Sequence, residues 1–181
     1  MSFNFKLIGK YNIDNIANKV NNFSEQLWNN YTYRQDQHGV HKHTKTVPII
    51  WKEPLNKNRI EYNDVNKYWS EYKSIKEDVD NLNILLNNNL SKGYIESILL
   101  INLPANKSIK KHMDNGNYFR KHNRLHMPII TNKDVIFEIG NEKKYLKPGE
   151  IWEINNNEKS HGVYNTSNTD RIHMLMDWKP L

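Results

Sequence analysis

From Gly93 onward the chain is cut into eight short runs, and this spacing constrains its fold more than any other feature. The runs are YIESILLINL, SIKKHMD, RLHMPII, VIFEIG, KKYL, EIWEI, HGVYN and RIHMLMDW. Between them stand Pro104-Ala105-Asn106, Asn115-Gly116-Asn117, Thr131-Asn132-Lys133, Gly140-Asn141, Lys147-Pro148-Gly149 and Asn155-Asn156-Asn157. Gly, Asn and Pro supply the backbone conformations of tight turns, and runs this short suit strands rather than helices. The pattern predicts a mainly β protein with flanking helices, its core over 93–181 a double-stranded β-helix of the jelly-roll, cupin-like kind. Folds of this kind carry their sites in the barrel mouth.

The first 92 residues read differently. Ile13, Ile16, Ala17, Val20, Phe23, Leu27 and Trp28 recur at three- and four-residue steps and predict a helix over 11–31. Residues 40–51, VHKHTKTVPIIW, read as extended, with Pro48 at a strand edge. Asn63 is placed to cap a second helix through Val65, Tyr68, Trp69, Tyr72, Ile75, Val79, Leu82 and Leu86, ending at Asn87-Asn88-Asn89. We expect a single domain over 1–181, with 1–92 packing on a barrel formed by 93–181.

Composition narrows the function classes. Cysteine is absent, which removes disulfides, thiol nucleophiles and thiolate metal sites and fits a cytoplasmic protein. No 18-residue apolar stretch exists to span a membrane, and the start, MSFNFKLIGKYNIDN, is too short and polar for a signal peptide. Mean hydropathy is −0.87, yet 10 Tyr, 5 Trp and 5 Phe remain to build a core. The net charge of +6 comes from 21 Lys scattered without a dense block, which argues against a nucleic-acid groove. Where Lys is the default cation, each of the 5 Arg is conspicuous, and three of them are Arg120, Arg124 and Arg171. Arg120 reads as a solvated surface charge.

The chemistry-bearing residues lie in the last third. His112-Met113-Asp114 is followed by His161, and Arg171 comes ten residues after His161. Two imidazoles and one carboxylate suit a non-haem Fe(II) site with open positions for a co-substrate and O₂. In an extended segment residues i and i+2 share a face, so His112 and Asp114 could reach one ion. A nearby guanidinium suits a bidentate clamp on a dicarboxylate. In RIHMLMDW, Arg171, His173, Leu175 and Asp177 alternate with Ile172, Met174 and Met176, so one face can point a cation inward while the other packs on helices. His173 reads as structural.

Residues 98–178 resemble the aspartyl/asparaginyl (and proline) β-hydroxylase family of Fe(II)/2-oxoglutarate-dependent oxygenases. The resemblance rests on His112-Met113-Asp114, Arg124-Leu125-His126 with the following MPII, PGEIWE at 148–153, His161 with Asn165, and RIHMLMDW. It implies that His112, Asp114 and His161 bind Fe(II) and that Arg171 holds the distal carboxylate of 2-oxoglutarate. Arg124 and His126 would meet the metal-proximal end of that co-substrate. Some relatives lack the carboxylate ligand; this chain keeps Asp114. The implied reaction uses O₂ to hydroxylate Asp, Asn or Pro, free or within a peptide.

Other readings stay open at this point. His38, His41 and His43 could form a second metal cluster, line a substrate entrance beside Tyr33 and Trp51, or sit on a solvated strand. For the whole chain, a non-catalytic cupin-like metal- or ligand-binding module has no use for Arg171. A metal-assisted hydrolase or isomerase would want a general base and no dicarboxylate clamp.

Overall fold

The computed structural model describes residues 3–51, 53–56, 59–63 and 69–181, and Val65 and Tyr68 of the expected second helix lie outside these. In chain order the elements are β1 (Phe5–Lys10), α1 (Asp14–Asn21), α2 (Glu25–Asn29), α3 (Tyr33–Gln37), a 3₁₀ turn (Gly39–His41), β2 (Lys45–Ile50), β3 (Glu53–Asn56), β4 (Arg59–Asn63), α4 (Trp69–Ser74) and α5 (Lys76–Asn89). There follow β5 (Gly93–Leu103), β6 (Ser108–His112), α6 (Asn117–Arg120), β7 (Asn123–Ile130), β8 (Val135–Ile139), β9 (Glu142–Lys144), β10 (Glu150–Ile154), β11 (His161–Asn165) and β12 (Arg171–Pro180). Each run expected as a strand after Gly93 contains one, though KKYL is strand only as far as Lys144 and SIKKHMD only as far as His112.

A six-stranded antiparallel sheet has the order β1-β10-β7-β12-β5-β2, and a four-stranded sheet has the order β6-β11-β8-β9. Together they make the jelly-roll core, but the larger sheet does not come from 93–181 alone. Both of its edge strands, β1 and β2, come from the first 50 residues. The uniform helix expected over 11–31 is two helices. Ser24 caps α2 by accepting from the Leu27 N–H at 3.1 Å, so the chain restarts there rather than continuing α1. The extended reading of 40–51 holds only from Lys45, because Gly39–His41 is a helical turn.

Period two sorts the side chains of the long central strands. On β5, Ile98 and Leu100 face the helices while Leu99, Ile101 and Leu103 face inward between the sheets. On β12, Ile172, Met174, Met176 and Trp178 join Ile16, Val20, Val79, Leu82 and Leu86 of α1 and α5 in one buried cluster. The inner cluster is Leu103, Ile109, Val135, Phe137, Ile139, Leu146, Ile154 and Val163. Strands buried on both faces read as continuous apolar runs, which explains SILLINL and HMLMDW.

Candidate active site

The two histidines of the expected ligand set come from different strands of the smaller sheet. β6 ends at His112, β11 begins at His161, and the pair are direct register partners with ring centroids 4.3 Å apart. Strand alternation does not deliver Asp114, because β6 stops at His112. Asp114 arrives through the following turn, its backbone N–H donating to the Asn156 carbonyl at 2.9 Å. One ligand atom from each of His112, Asp114 and His161 falls within 4.8 Å of the others. Among the described residues no other three such side chains converge in this way.

The donor set fits a hard-to-borderline divalent ion. His112 Nδ1 is 2.8 Å from the Lys110 carbonyl oxygen, so Nδ1 carries the hydrogen and Nε2 is left as the ligand atom. Nε2 of His112 is 3.7 Å from Asp114 Oδ1, and Nε2 of His161 is 3.9 Å from Asp114 Oδ2. Asp114 Oδ2 accepts from Arg124 Nη1 at 2.7 Å and from Asn156 Nδ2 at 2.8 Å, which leaves Oδ1 as the freer oxygen. Burial alone raises the Asp114 pKa. Arg124, His161 and the Asn156 amide outweigh it and hold the carboxyl well below the usual range. Burial also lowers the His161 pKa to about 4, against a smaller opposing pull from Asp114. At neutral pH Asp114 is therefore an anion and His161 a neutral imidazole, the protonation states a metal requires of them.

Arg124 holds this arrangement from behind. Its Nε donates to Asp177 Oδ1 at 2.9 Å and Nη2 to Asp177 Oδ2 at 3.0 Å, a bidentate pair. Asp177 also accepts from Ser97 Oγ at 2.9 Å and Tyr118 Oη at 3.2 Å. The guanidinium lies over the Phe119 ring, 4.5 Å from its centroid. All three nitrogens of Arg124 are thus committed to carboxylates, with Asp114 one of them.

Arg171 is different. It is 1% exposed, and its Nε and Nη2 have no hydrogen-bond partner among the described residues. It enters the same cleft from β12, its guanidinium 5.6 Å from the Phe137 ring centroid, and burial lowers its pKa to about 9. His126 and His173 flank it, each held well below its ordinary value first by burial and then by the Arg171 charge. His173 stacks on Phe137 at 6.1 Å, and neither of its ring nitrogens has a hydrogen-bond partner among the described residues. The cleft so lined holds two neutral imidazoles and an unpaired buried cation beside the His112, Asp114 and His161 cluster.

The model of the family described as aspartyl/asparaginyl beta-hydroxylase matches residues 10–180. The chain belongs to this family. The match covers nearly all of the first 92 residues as well, where the resemblance in sequence had stopped at 98–178. Family membership makes the chain an oxidoreductase of the hydroxylase type. No curated protein matches it in sequence. Among solved structures it is similar to a Pseudomonas putida prolyl-4-hydroxylase at 10% identity and TM-score 0.52, covering 99% of this chain and 94% of that one. It is similar to a Trichoplax adhaerens prolyl hydroxylase in complex with a hypoxia inducible factor oxygen degradation domain peptide fragment, at 12% identity and TM-score 0.52, covering 98% and 84%. A Burkholderia pseudomallei oxidoreductase of the 2OG-Fe(II) oxygenase family gives 9% identity and TM-score 0.54, covering 75% and 67%. At such identities these likenesses speak for the fold.

Sequence reasoning named His112, Asp114, His161, Arg124, His126 and Arg171, and all six line one cleft. It passed over Arg34, which lines the same cleft although it lies 78 positions before His112 in the chain. The scarcity of arginine was the available signal. It set His173 aside as structural, yet His173 faces the cleft. Of the three clustered histidines, His41 reaches the cleft while His38 and His43 are exposed, because a helical turn rather than a strand carries His41.

Proposed function

We propose that the chain is an Fe(II)- and 2-oxoglutarate-dependent dioxygenase that hydroxylates an amino-acid side chain of Asp, Asn or Pro, free or within a peptide. The observation that carries this reading is a two-histidine, one-carboxylate cluster sharing a cleft with a buried arginine that has unpaired N–H groups. Structural metal sites of a non-catalytic module have no need of that arginine.

His112, Asp114 and His161 would hold Fe(II). With 2-oxoglutarate and O₂, the iron supplies the oxidising power to insert one oxygen atom into a C–H bond, the other entering succinate as CO₂ leaves. Arg171 binds the distal carboxylate of 2-oxoglutarate through its planar fork. His126, neutral, lies toward the metal-proximal end and donates or accepts without adding charge. Arg124 fixes Asp114 against Asp177, so the carboxylate cannot turn away from the ion, and any contact it makes with co-substrate comes from its remaining N–H groups. Ile101, Ile109, Phe137, Val163 and Leu175 form the apolar wall that limits water.

Anaerobic titration should show one Fe(II) per chain, with binding lost in His112→Ala and His161→Ala. Aerobic incubation with 2-oxoglutarate should release succinate in the parent. Undiminished iron binding by His161→Ala would remove the ligand assignment, and absence of succinate together with tight iron binding would favour the non-catalytic module.

A further inference from the structure

Arg34 lies on α3 and is 9% exposed, although arginine is seldom buried without a paired anion. Among the described residues it makes no salt bridge. Its one polar contact is from Nη2 to His41 Nε2, at 3.1 Å, and Nη1 has no partner. Burial, then the charge of Arg124, works against its cation, and Asp114 and Asp177 oppose that only from a distance, without a hydrogen bond or salt bridge to it. A guanidinium can only donate, so His41 Nε2 accepts and the imidazole hydrogen sits on Nδ1. That Nδ1 is also buried and without a partner.

These two unpaired donors are not loosely placed. Gln35, next to Arg34, donates from Nε2 to the Thr44 carbonyl at 2.8 Å, and Thr44 Oγ1 donates to the His41 carbonyl at 2.8 Å. The 3₁₀ turn is thereby pinned against β6, and the His41 ring stands edge-on to His112 at 5.2 Å. Arg34 and His41 roof the cleft over the ligand cluster, while Arg171 enters it from β12. Among the described residues the cleft therefore carries two buried guanidinium groups that contact no carboxylate, and a single dicarboxylate co-substrate held by Arg171 satisfies one of them.

We propose that Arg34, with His41, is the anchor for a carboxylate on the primary substrate. This rests on the oxygenase reading and adds a substrate property to it: the molecule hydroxylated carries a negative charge close to the reacting carbon. The carboxylate is either the side chain of an acidic residue or the α-carboxylate of a free amino acid. In both cases a buried, immobilised guanidinium recognises it in preference to the isosteric amide, whose neutral oxygen leaves the cation uncompensated.

Anaerobic calorimetry on the Fe(II)- and 2-oxoglutarate-loaded protein tests this with two pairs of probes. A capped tripeptide centred on Asp against the same peptide with Asn addresses the side-chain source. L-asparagine and L-proline against their amides address the α-carboxylate source. The parent should prefer the charged member of at least one pair by about tenfold or more, the strength of a hydrogen bond to a charged group. Arg34→Gln should bring that ratio to about one, while 2-oxoglutarate affinity, measured separately, follows Arg171 instead. Arg34→Lys should restore part of the preference. In the metal-free protein, Arg34→Met should melt at or above the parent temperature, because an unpaired buried charge is removed. A parent without preference in either pair, an Arg34→Gln protein that keeps it, or an Arg34→Met protein that melts well below the parent each overturns the proposal. Failure of the parent to bind Fe(II) and 2-oxoglutarate at all is a different result, and it overturns the oxygenase reading.

Discussion

Among the described residues Arg171 is buried with its Nε and Nη2 unpartnered, where a lysine would be easier to accommodate, and the chain uses 21 Lys against 5 Arg. A compact ammonium can withdraw its charge by losing a proton when buried; a guanidinium keeps it and offers two parallel N–H bonds. Arg171→Lys should therefore raise the Michaelis constant for 2-oxoglutarate by about tenfold or more, since a bidentate charge-assisted pair is replaced by a single point contact. Iron affinity should stay near the parent value. Succinate release against 2-oxoglutarate concentration reads the first, and anaerobic titration the second. Parent-like kinetics in Arg171→Lys would make Arg171 a structural cation of the last strand.

The ligand cluster depends on how closely β6 and β11 approach. Gly162, beside His161, sits at the irregularity in their pairing. A Cβ there would lie 3.1 Å from the Ile109 carbonyl oxygen and 3.2 Å from the Lys111 nitrogen, tighter than ordinary contact. Both are backbone atoms of β6, so relief requires the strands to separate, and His112 moves away from His161 with them. Gly162→Ala should leave the sheet order intact but weaken Fe(II) binding by about tenfold, the lower end of what displaced supporting groups cost a metal site. Circular dichroism and anaerobic titration separate these effects. Iron affinity equal to the parent's would show that β6 yields without moving His112.

Across the whole molecule, burial of neutral histidines makes stability sensitive to acid. His126 and His173 are held well below the ordinary 6.5, His161 at about 4 and His41 at about 2, each first by burial. In the unfolded chain all four take up protons as pH falls through 6.5, while the folded state excludes them. Stability of the metal-free protein is therefore full above pH 6.5 and is lost as pH drops from there toward each folded value. Each such histidine contributes about 1.4 kcal/mol per pH unit. Asp114 and Asp177, also depressed, add a further loss only below about 3.8, where the unfolded carboxyls protonate. Chemical denaturation between about pH 6 and pH 5 should show a slope shallower by about 1.4 kcal/mol per unit in His173→Phe than in the parent. Equal slopes would mean that His173 titrates normally in the fold. No helix among the described residues is long and apolar enough to cross a membrane.

The strands were legible in the sequence because period-two burial and turn chemistry are local properties, and each of the eight runs carries its own turn residues. Local order also marked His112 and Asp114 two residues apart, with His161 and then Arg171 following in sequence, and arginine is scarce in this Lys-rich chain. What local signals could not supply was distance. The direct pairing of His112 with His161 is a register between strands nearly 50 residues apart. The turn that swings Asp114 inward depends on Asn156, and the commitment of Arg124 depends on Asp177, 53 residues away. The arrival of Arg34 and His41 at the cleft was equally hidden, because it depends on the pairing of β2 with β5, about 50 residues later in the chain, and on the packing of the 3₁₀ turn against β6. Residue types are fixed by the chain itself, whereas a cleft with two unpaired guanidinium groups exists only after non-local packing has excluded the water that would otherwise solvate them.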